Sequence, residues 1–352
     1  MVKNLLGYRL IVFHIMIVLI IFTGGCSVKT IEEAENSEDS NQNPFGKNES
    51  ESVVLGSISH GFINPQLDKS GRALPLEYNG GELKIDYSVR ASGKAKNVGF
   101  FIFVGGEPQP YKLNESDSHY QYMHLLELKG DDQDTPFTFE FTPVTGQQGD
   151  NLHVSIASIY NPGFMPDMKK TSSYGGYQTT LEVGRSLIYN QNAESVDFFP
   201  NTRKEILNHV QLSTEPVTQD LFDKHSIMEK VDMAALDKNV YSDLYIDGEI
   251  RQDNLKVQKS GNLHVTFNLF GHSGMRYRNT FYLNHQALAS KDGVSFETEL
   301  TKGNIAVIDA DIELENLEDF STFYVVSVPI NANDFPDDVV VLMKTPSLLL
   351  YR

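Results

Sequence analysis

From Gly81 the chain alternates, apolar at Leu83, Ile85, Tyr87 and Val89 and polar at Lys84, Asp86 and Ser88. From Gly261 it alternates again, with Leu263, Val265, Phe267 and Leu269 as the apolar set. A period of two puts all the apolar residues of each stretch on one face of a strand. The same order of landmarks continues through both halves. Phe101–Val104 matches Phe281–Asn284, Leu126–Lys129 matches Thr298–Thr301, and Thr138–Phe141 matches Asp311–Leu314. Val154–Ile159 then matches Tyr324–Pro329, Asn161–Asp167 matches Asn331–Asp337, and Ser186–Tyr189 matches Leu348–Tyr351. Seven matches in one order, about 180 positions apart, indicate a duplicated domain rather than a short solenoid repeat.

Each copy carries about seven short strands, separated by turn signals such as Asn79-Gly80-Gly81, Gly105-Gly106 and Asp292-Gly293. That pattern predicts a mainly β chain of two tandem immunoglobulin-like antiparallel sandwiches. Between the copies, Pro200–Val210 reads as a short helix, and Ser226 with Glu229 has the spacing of a capping box. Met228, Val231 and Ala235 would then form a narrow apolar stripe packed on a neighbouring domain. The predicted organisation is residues 1–25 a signal segment, 26–52 a linker, 53–192 the first sandwich, 193–239 a partly helical connector, and 240–352 the second sandwich.

A different hydrophobic pattern opens the chain. Lys3 and Arg9 precede an apolar run from Leu10 to Phe22 interrupted by His14, and Thr23-Gly24-Gly25-Cys26 follows. A short basic region, roughly 7 to 15 apolar residues and small residues at the end describe a secretory signal peptide, while a spanning helix wants about 20. Gly24 and Gly25 directly before Cys26 resemble the lipobox of bacterial lipoproteins, with Thr23 where an aliphatic residue is usual. The resemblance implies cleavage between Gly25 and Cys26 by signal peptidase II, a diacylglycerol thioether on the Cys26 sulfur, and palmitate as an attached acyl group. It places the protein at the outer face of the bacterial cytoplasmic membrane, or at an outer membrane where the cell has one, with lipid as its tether.

Residues 27–52 hold seven acids and two Lys with no apolar periodicity, the composition of a solvated, charge-extended stalk. Over the 352 residues, 29 Lys and Arg face 47 Asp and Glu, a formal charge of −18. Phosphate binding needs a basic face, so nucleic acid is excluded as a partner. Cys26 is the only Cys, which excludes disulfides and multi-thiolate metal sites.

No G-x-S-x-G, H-E-x-x-H, P-loop or G-x-G-x-x-G occurs, and no cofactor or metal is implied. His119 and His124 differ by an odd number and would point to opposite faces of a strand. Tyr120 and Tyr122 would share a face and, in a chain without Trp, could supply a stacking surface for a sugar. Asp131, Asp132 and Asp134, and Asp309 with Asp311, lack the spacing of a calcium loop. The loop ending in Tyr174-Gly175-Gly176-Tyr177 is a candidate binding tip. The expected function is therefore a non-catalytic, lipid-anchored extracytoplasmic protein, presenting two sandwiches for protein or glycan binding or for envelope structure. The alternative is a surface hydrolase or carbohydrate-active protein with its site in the cleft between the sandwiches.

Overall fold

A computed structural model describes residues 56–93, 95, 97–114, 119–129, 131–164, 178–194, 206–226, 231–250, 254–335, 338 and 340–352. The chain divides into Met1–Ser52 and Val53–Arg352, and every described residue belongs to the second unit. Gly25, Cys26, the acidic stretch to Ser52 and the Tyr174–Tyr177 tip lie outside the described residues.

Within the second unit, the first sandwich comprises β1 (Ser57–Phe62), β2 (Leu76–Tyr78), β3 (Leu83–Ser92), β4 (Asn97–Val104), β5 (Glu107–Gln109), β6 (Lys112–Leu113), β7 (His124–Glu127), β8 (Asp131–Phe141), β9 (Asn151–Tyr160) and β10 (Thr180–Tyr189). Its outer sheet has the order β1-β3-β8-β6, and its inner sheet the order β2-β10-β9-β4-β5, with β7 paired to β4. The second sandwich comprises β11 (Leu207–Pro216), helix α1 (Gln219–His225), β12 (Val240–Ile246), β13 (Glu249–Ile250), β14 (Leu255–Lys256), β15 (Asn262–Gly271), β16 (Arg276–Leu283), β17 (Gln286–Ala287), β18 (Phe296–Glu299), β19 (Asn304–Glu313), β20 (Phe320–Pro329), β21 (Met343–Lys344) and β22 (Leu348–Tyr351). Its sheets run β11-β19-β15-β12-β13 and β14-β22-β20-β16-β17. In both copies a short strand lies parallel to the last one, β2 on β10 and β14 on β22, while the other pairings are antiparallel. This is the Greek-key arrangement of an immunoglobulin-like sandwich.

The alternating strands behave as their sequence dictates. Ile85, Tyr87 and Val89 on β3 enter the first core, and Leu263, Val265, Phe267 and Leu269 on β15 enter the second. With no Trp, aromatic side chains fill the first core: Tyr87 and Phe139 meet at 5.2 Å between centroids, and Phe137 and Phe139 at 5.0 Å. Offset and edge contacts at such separations add roughly 0.5–1.5 kcal/mol per pair beyond area burial.

The inner sheets are different, because both of their faces are covered. On β4, Val98, Phe100, Ile102 and Val104 point into the first core, and Phe101 and Phe103 point the other way. On β16 and β20, Phe281, Phe323 and Val325 enter the second core, while Tyr282, Tyr324, Val326 and Val328 face out of it. The two outward sets pack together with Ala157, Ile159 and Leu342. The sandwiches are thus stacked sheet on sheet, four layers deep, and an apolar cluster lies between them where the alternative reading would place a cleft. Burial on both faces also corrects the sequence match of Phe101 with Phe281, which lie on non-equivalent faces. Phe100 and Ile102 occupy the core-facing positions of β4, one residue from the matched one, and such a slip exchanges every face.

The predicted helix at Pro200–Val210 is also corrected: from Leu207 this segment is strand β11, paired with β19. Pairing with an open sheet edge satisfies the backbone groups of a polar stretch whose local helix preference is weak. The second sandwich therefore takes a strand from inside the predicted connector. Ser226 is the C-cap of α1, and Thr218 is its N-cap, accepting from the Leu221 N–H. Leu221, Phe222, Val231 and Leu236 cover Phe270, Ile305 and Val307 on the outer face of the second sandwich, so Val231 and Ala235 pack there as an apolar patch.

Candidate functional site

After β1 the chain leaves the outer sheet of the first sandwich and crosses to the inner one at β2. The crossing loop is tied by a Leu67–Ala73 bridge and by Asp68, whose carboxylate accepts from Ser70 and from the Arg72 N–H. Behind this loop the two sheets part, leaving a groove of about 490 Å3. Phe62, Leu74, Pro75, Leu76, Ile85 and Ile188 give it an apolar floor. Its volume falls in the range of small-ligand sites.

Arg185 is the unusual member. It occupies the same face of β10 as Leu187 and Tyr189, both core residues, so alternation carries a guanidinium into the mouth of the sandwich. Its Nε donates to the Leu74 carbonyl, and its plane lies 5.3 Å over the Phe62 ring. Among the described residues no carboxylate pairs with it, and burial lowers its pKa from the ordinary Arg value. The rim adds Lys84, whose ammonium is 3.4 Å from Glu140, and Glu77 and Asp86, both exposed, with Asp86 accepting from Thr138 Oγ1. No Ser, Thr, Cys or His lines the groove, so it offers no hydroxyl or thiol nucleophile and no imidazole base. The sequence signal for this site is the row Val183, Arg185, Leu187, Tyr189, in which one cation interrupts an apolar face.

The residues singled out from sequence lie elsewhere or are already engaged. Tyr120 and Tyr122 belong to a non-strand segment in which Gln121 bridges to Tyr111. The Tyr120 hydroxyl donates to Glu82 Oε1 at 2.5 Å, and Lys112 lies 5.0 Å over its ring and 2.7 Å from Glu82. Hydrogen bonds from Lys112 and Tyr120 hold the Glu82 carboxyl below its usual pKa. His119 is exposed, whereas His124 is buried against the Tyr111 carbonyl, 2.7 Å away. Asp311 sits between His264 at 3.0 Å and His209 at 2.9 Å, and Asp309 accepts from Thr266. Burial pushes Asp311 up, but the two imidazole hydrogen bonds outweigh it and leave its pKa lowered. Among the described residues no group of three His, Cys, Asp or Glu is placed to hold a metal ion. No helix among them is long and apolar enough to cross a membrane.

A second polar cluster closes the contact between the sandwiches. Lys344 is held by the Gln178 carbonyl at 3.2 Å, the Thr345 carbonyl at 3.1 Å and Ser347 Oγ at 2.8 Å, with its ammonium 4.5 Å over Tyr324. Burial lowers its pKa to about 7. His285 Nε2 lies 2.8 Å from the Pro162 carbonyl, so it carries the proton, and Nδ1 accepts from the Tyr324 hydroxyl at 2.9 Å. Burial, against the Pro162 hydrogen bond and aided by Lys344, lowers the His285 pKa to about 4. Arg278 crosses the contact to the Gly105 carbonyl at 2.7 Å and Glu107 at 3.2 Å, and Glu182 accepts from the Leu342 N–H at 2.6 Å.

Neither a protein-family model nor a curated protein matches the chain. Among solved structures, a protein of unknown function from Porphyromonas gingivalis W83 is similar at 10% identity, with 79% of this chain and 96% of that one covered and a TM-score of 0.22. The C-terminal domain of the Streptococcus pyogenes antigen I/II-family protein AspA aligns at 7% identity over 85% of this chain and all of that one, 100%, with a TM-score of 0.21. The CsuC–CsuE chaperone–tip adhesion subunit complex of Acinetobacter baumannii aligns at 8% identity over 79% and 94%, with a TM-score of 0.17. Scores this low transfer no role to this chain.

Proposed function

We propose that the chain is a lipid-anchored extracytoplasmic binding protein that performs no chemistry of its own, presenting two stacked sandwiches for ligand binding at the cell envelope. The groove beside Arg185 carries the binding reading. It has an apolar floor, a cation without a carboxylate partner among the described residues, and no hydroxyl, thiol or imidazole in its lining, which suits recognition better than a hydrolase built on Ser, Cys or His. The alternative site between the sandwiches meets the packed cluster of Phe101, Tyr282 and Tyr324. The anchor is supported by Gly24-Gly25-Cys26 after a short apolar run, and the stalk by the acidic stretch that follows.

Labelling of expressing cells with a palmitate analogue tests the anchor. The wild type should take up label and fractionate with membranes, and Cys26→Ala should do neither. Equal incorporation in both overturns the anchored reading.

A further inference from the structure

The groove also constrains what it can hold. Part of its lining backbone is already paired: the Ile63 N–H donates to the Asp86 carbonyl at 3.0 Å, the Leu74 N–H to the Gln66 carbonyl at 2.8 Å, and the Leu74 carbonyl accepts from Arg185. Leu76, Glu77 and Ile188 are paired within the β2–β10 ladder. An extended peptide needs main-chain donors and acceptors, and a sugar needs a ring of polar partners. The floor supplies chiefly aliphatic and aromatic carbon, bordered by the side-chain amides of Asn64 and Gln66. Among the donors that line the groove, the Arg185 guanidinium is a planar fork whose geometry matches a carboxylate. In a chain of formal charge −18, a half-buried arginine without a carboxylate partner leaves a charge that a ligand can complement. Glu77 and Asp86 on the rim would repel a second negative group.

We propose that this groove binds an aliphatic monocarboxylate, its chain along Phe62, Leu74, Leu76 and Ile85 and its carboxylate paired with the Arg185 guanidinium. The proposal rests on reading the groove as the protein's binding site and names the ligand class for it. The ligand enters chain first, past Pro75, and its head remains at the mouth, where the Phe62 ring backs the guanidinium.

Titration calorimetry on the full chain carrying Cys26→Ser, which avoids lipid and detergent, tests this with octanoate, octan-1-ol and an N-acetylated peptide ending in a leucine carboxylate. Octanoate should bind at least roughly tenfold more tightly than octan-1-ol, as expected for a charge-assisted bidentate pair. Arg185→Gln should remove that difference. Because Arg185 also holds the Leu74 carbonyl, Leu74→Trp serves as a second variant. It alters an exposed residue, keeps the cation and should weaken octanoate and octan-1-ol together by filling the groove. Octan-1-ol binding as well as octanoate, tighter binding of the peptide, or no binding of any probe overturns the ligand class alone. Octanoate binding equally to wild type and Leu74→Trp overturns the groove as the site, and the binding reading with it.

Discussion

Phe101 of the first sandwich and Tyr282 of the second meet with ring centroids 4.9 Å apart, and both are about 1% exposed. Neither ring belongs to its own sandwich core, so their burial comes from the stacking of the two inner sheets. Phe101→Ala should cost about 3–5 kcal/mol. A double-mutant cycle with Tyr282→Ala should return a coupling of roughly 0.5–1.5 kcal/mol in denaturant unfolding. Strict additivity would mean that the rings do not share this contact.

Gly106 tests the same contact through the backbone. Its φ is +81°, and a Cβ there would lie 2.6 Å from Ile330 Cγ2 and 2.9 Å from Arg278 Cβ, both in the other sandwich. Gly149, at φ +94°, has nothing within 4 Å of its Cβ position. Alanine at Gly149 should cost only the left-handed backbone penalty of about 1 kcal/mol, and alanine at Gly106 clearly more. Equal shifts in urea midpoint would show that the loop moves away without loss.

Lys344 predicts an alkaline dependence of stability. Its pKa is about 7 in the folded protein and 10.5 when exposed. Between these values the unfolded chain holds a proton that the folded chain has released, so stability from this residue rises with pH from about 7 to 10.5 and is flat below. Lys344→Met should raise the melting temperature at pH 7 and flatten that rise. Thermal melts of wild type and variant across the window read it directly, and parallel curves would contradict it.

The acid side depends on His60 and His285, both lowered by burial to about 4. His60 bridges the Tyr87 hydroxyl at 2.6 Å and Ser158 Oγ at 3.0 Å inside the first sandwich. As pH falls from 6.5 to 4 the unfolded chain takes up protons that the folded imidazoles refuse, and stability is lost. His60→Gln and His285→Gln should each shallow the acid limb of a pH series of urea midpoints. An unchanged limb in both variants would place acid sensitivity elsewhere.

The strands with one wet face were legible from sequence because alternation marks them, as at Leu83–Val89 and Leu263–Leu269. The stacking was not, because Phe100–Val104 and Phe323–Val326 are apolar without interruption. A continuous run declares a strand buried on both sides but hides which residue faces which neighbour. Strand β11 was hidden for the opposite reason. Its sequence is polar, and its structure comes from the free edge of β19 rather than from local preference. Arg185 was visible as a break in an apolar row. Its meaning, however, depends on the crossing loop that brings Leu74 and Phe62 around it.

The two sandwiches form one docked body through inner sheets covered on both faces, leaving the groove and the outer surfaces for recognition. Differential scanning calorimetry of the full chain tests it most directly. A single cooperative transition for the Val53–Arg352 unit is predicted, separating into two when Tyr282→Asp places a charge in the contact. Two resolved transitions in the wild type, unchanged by Tyr282→Asp, would contradict it.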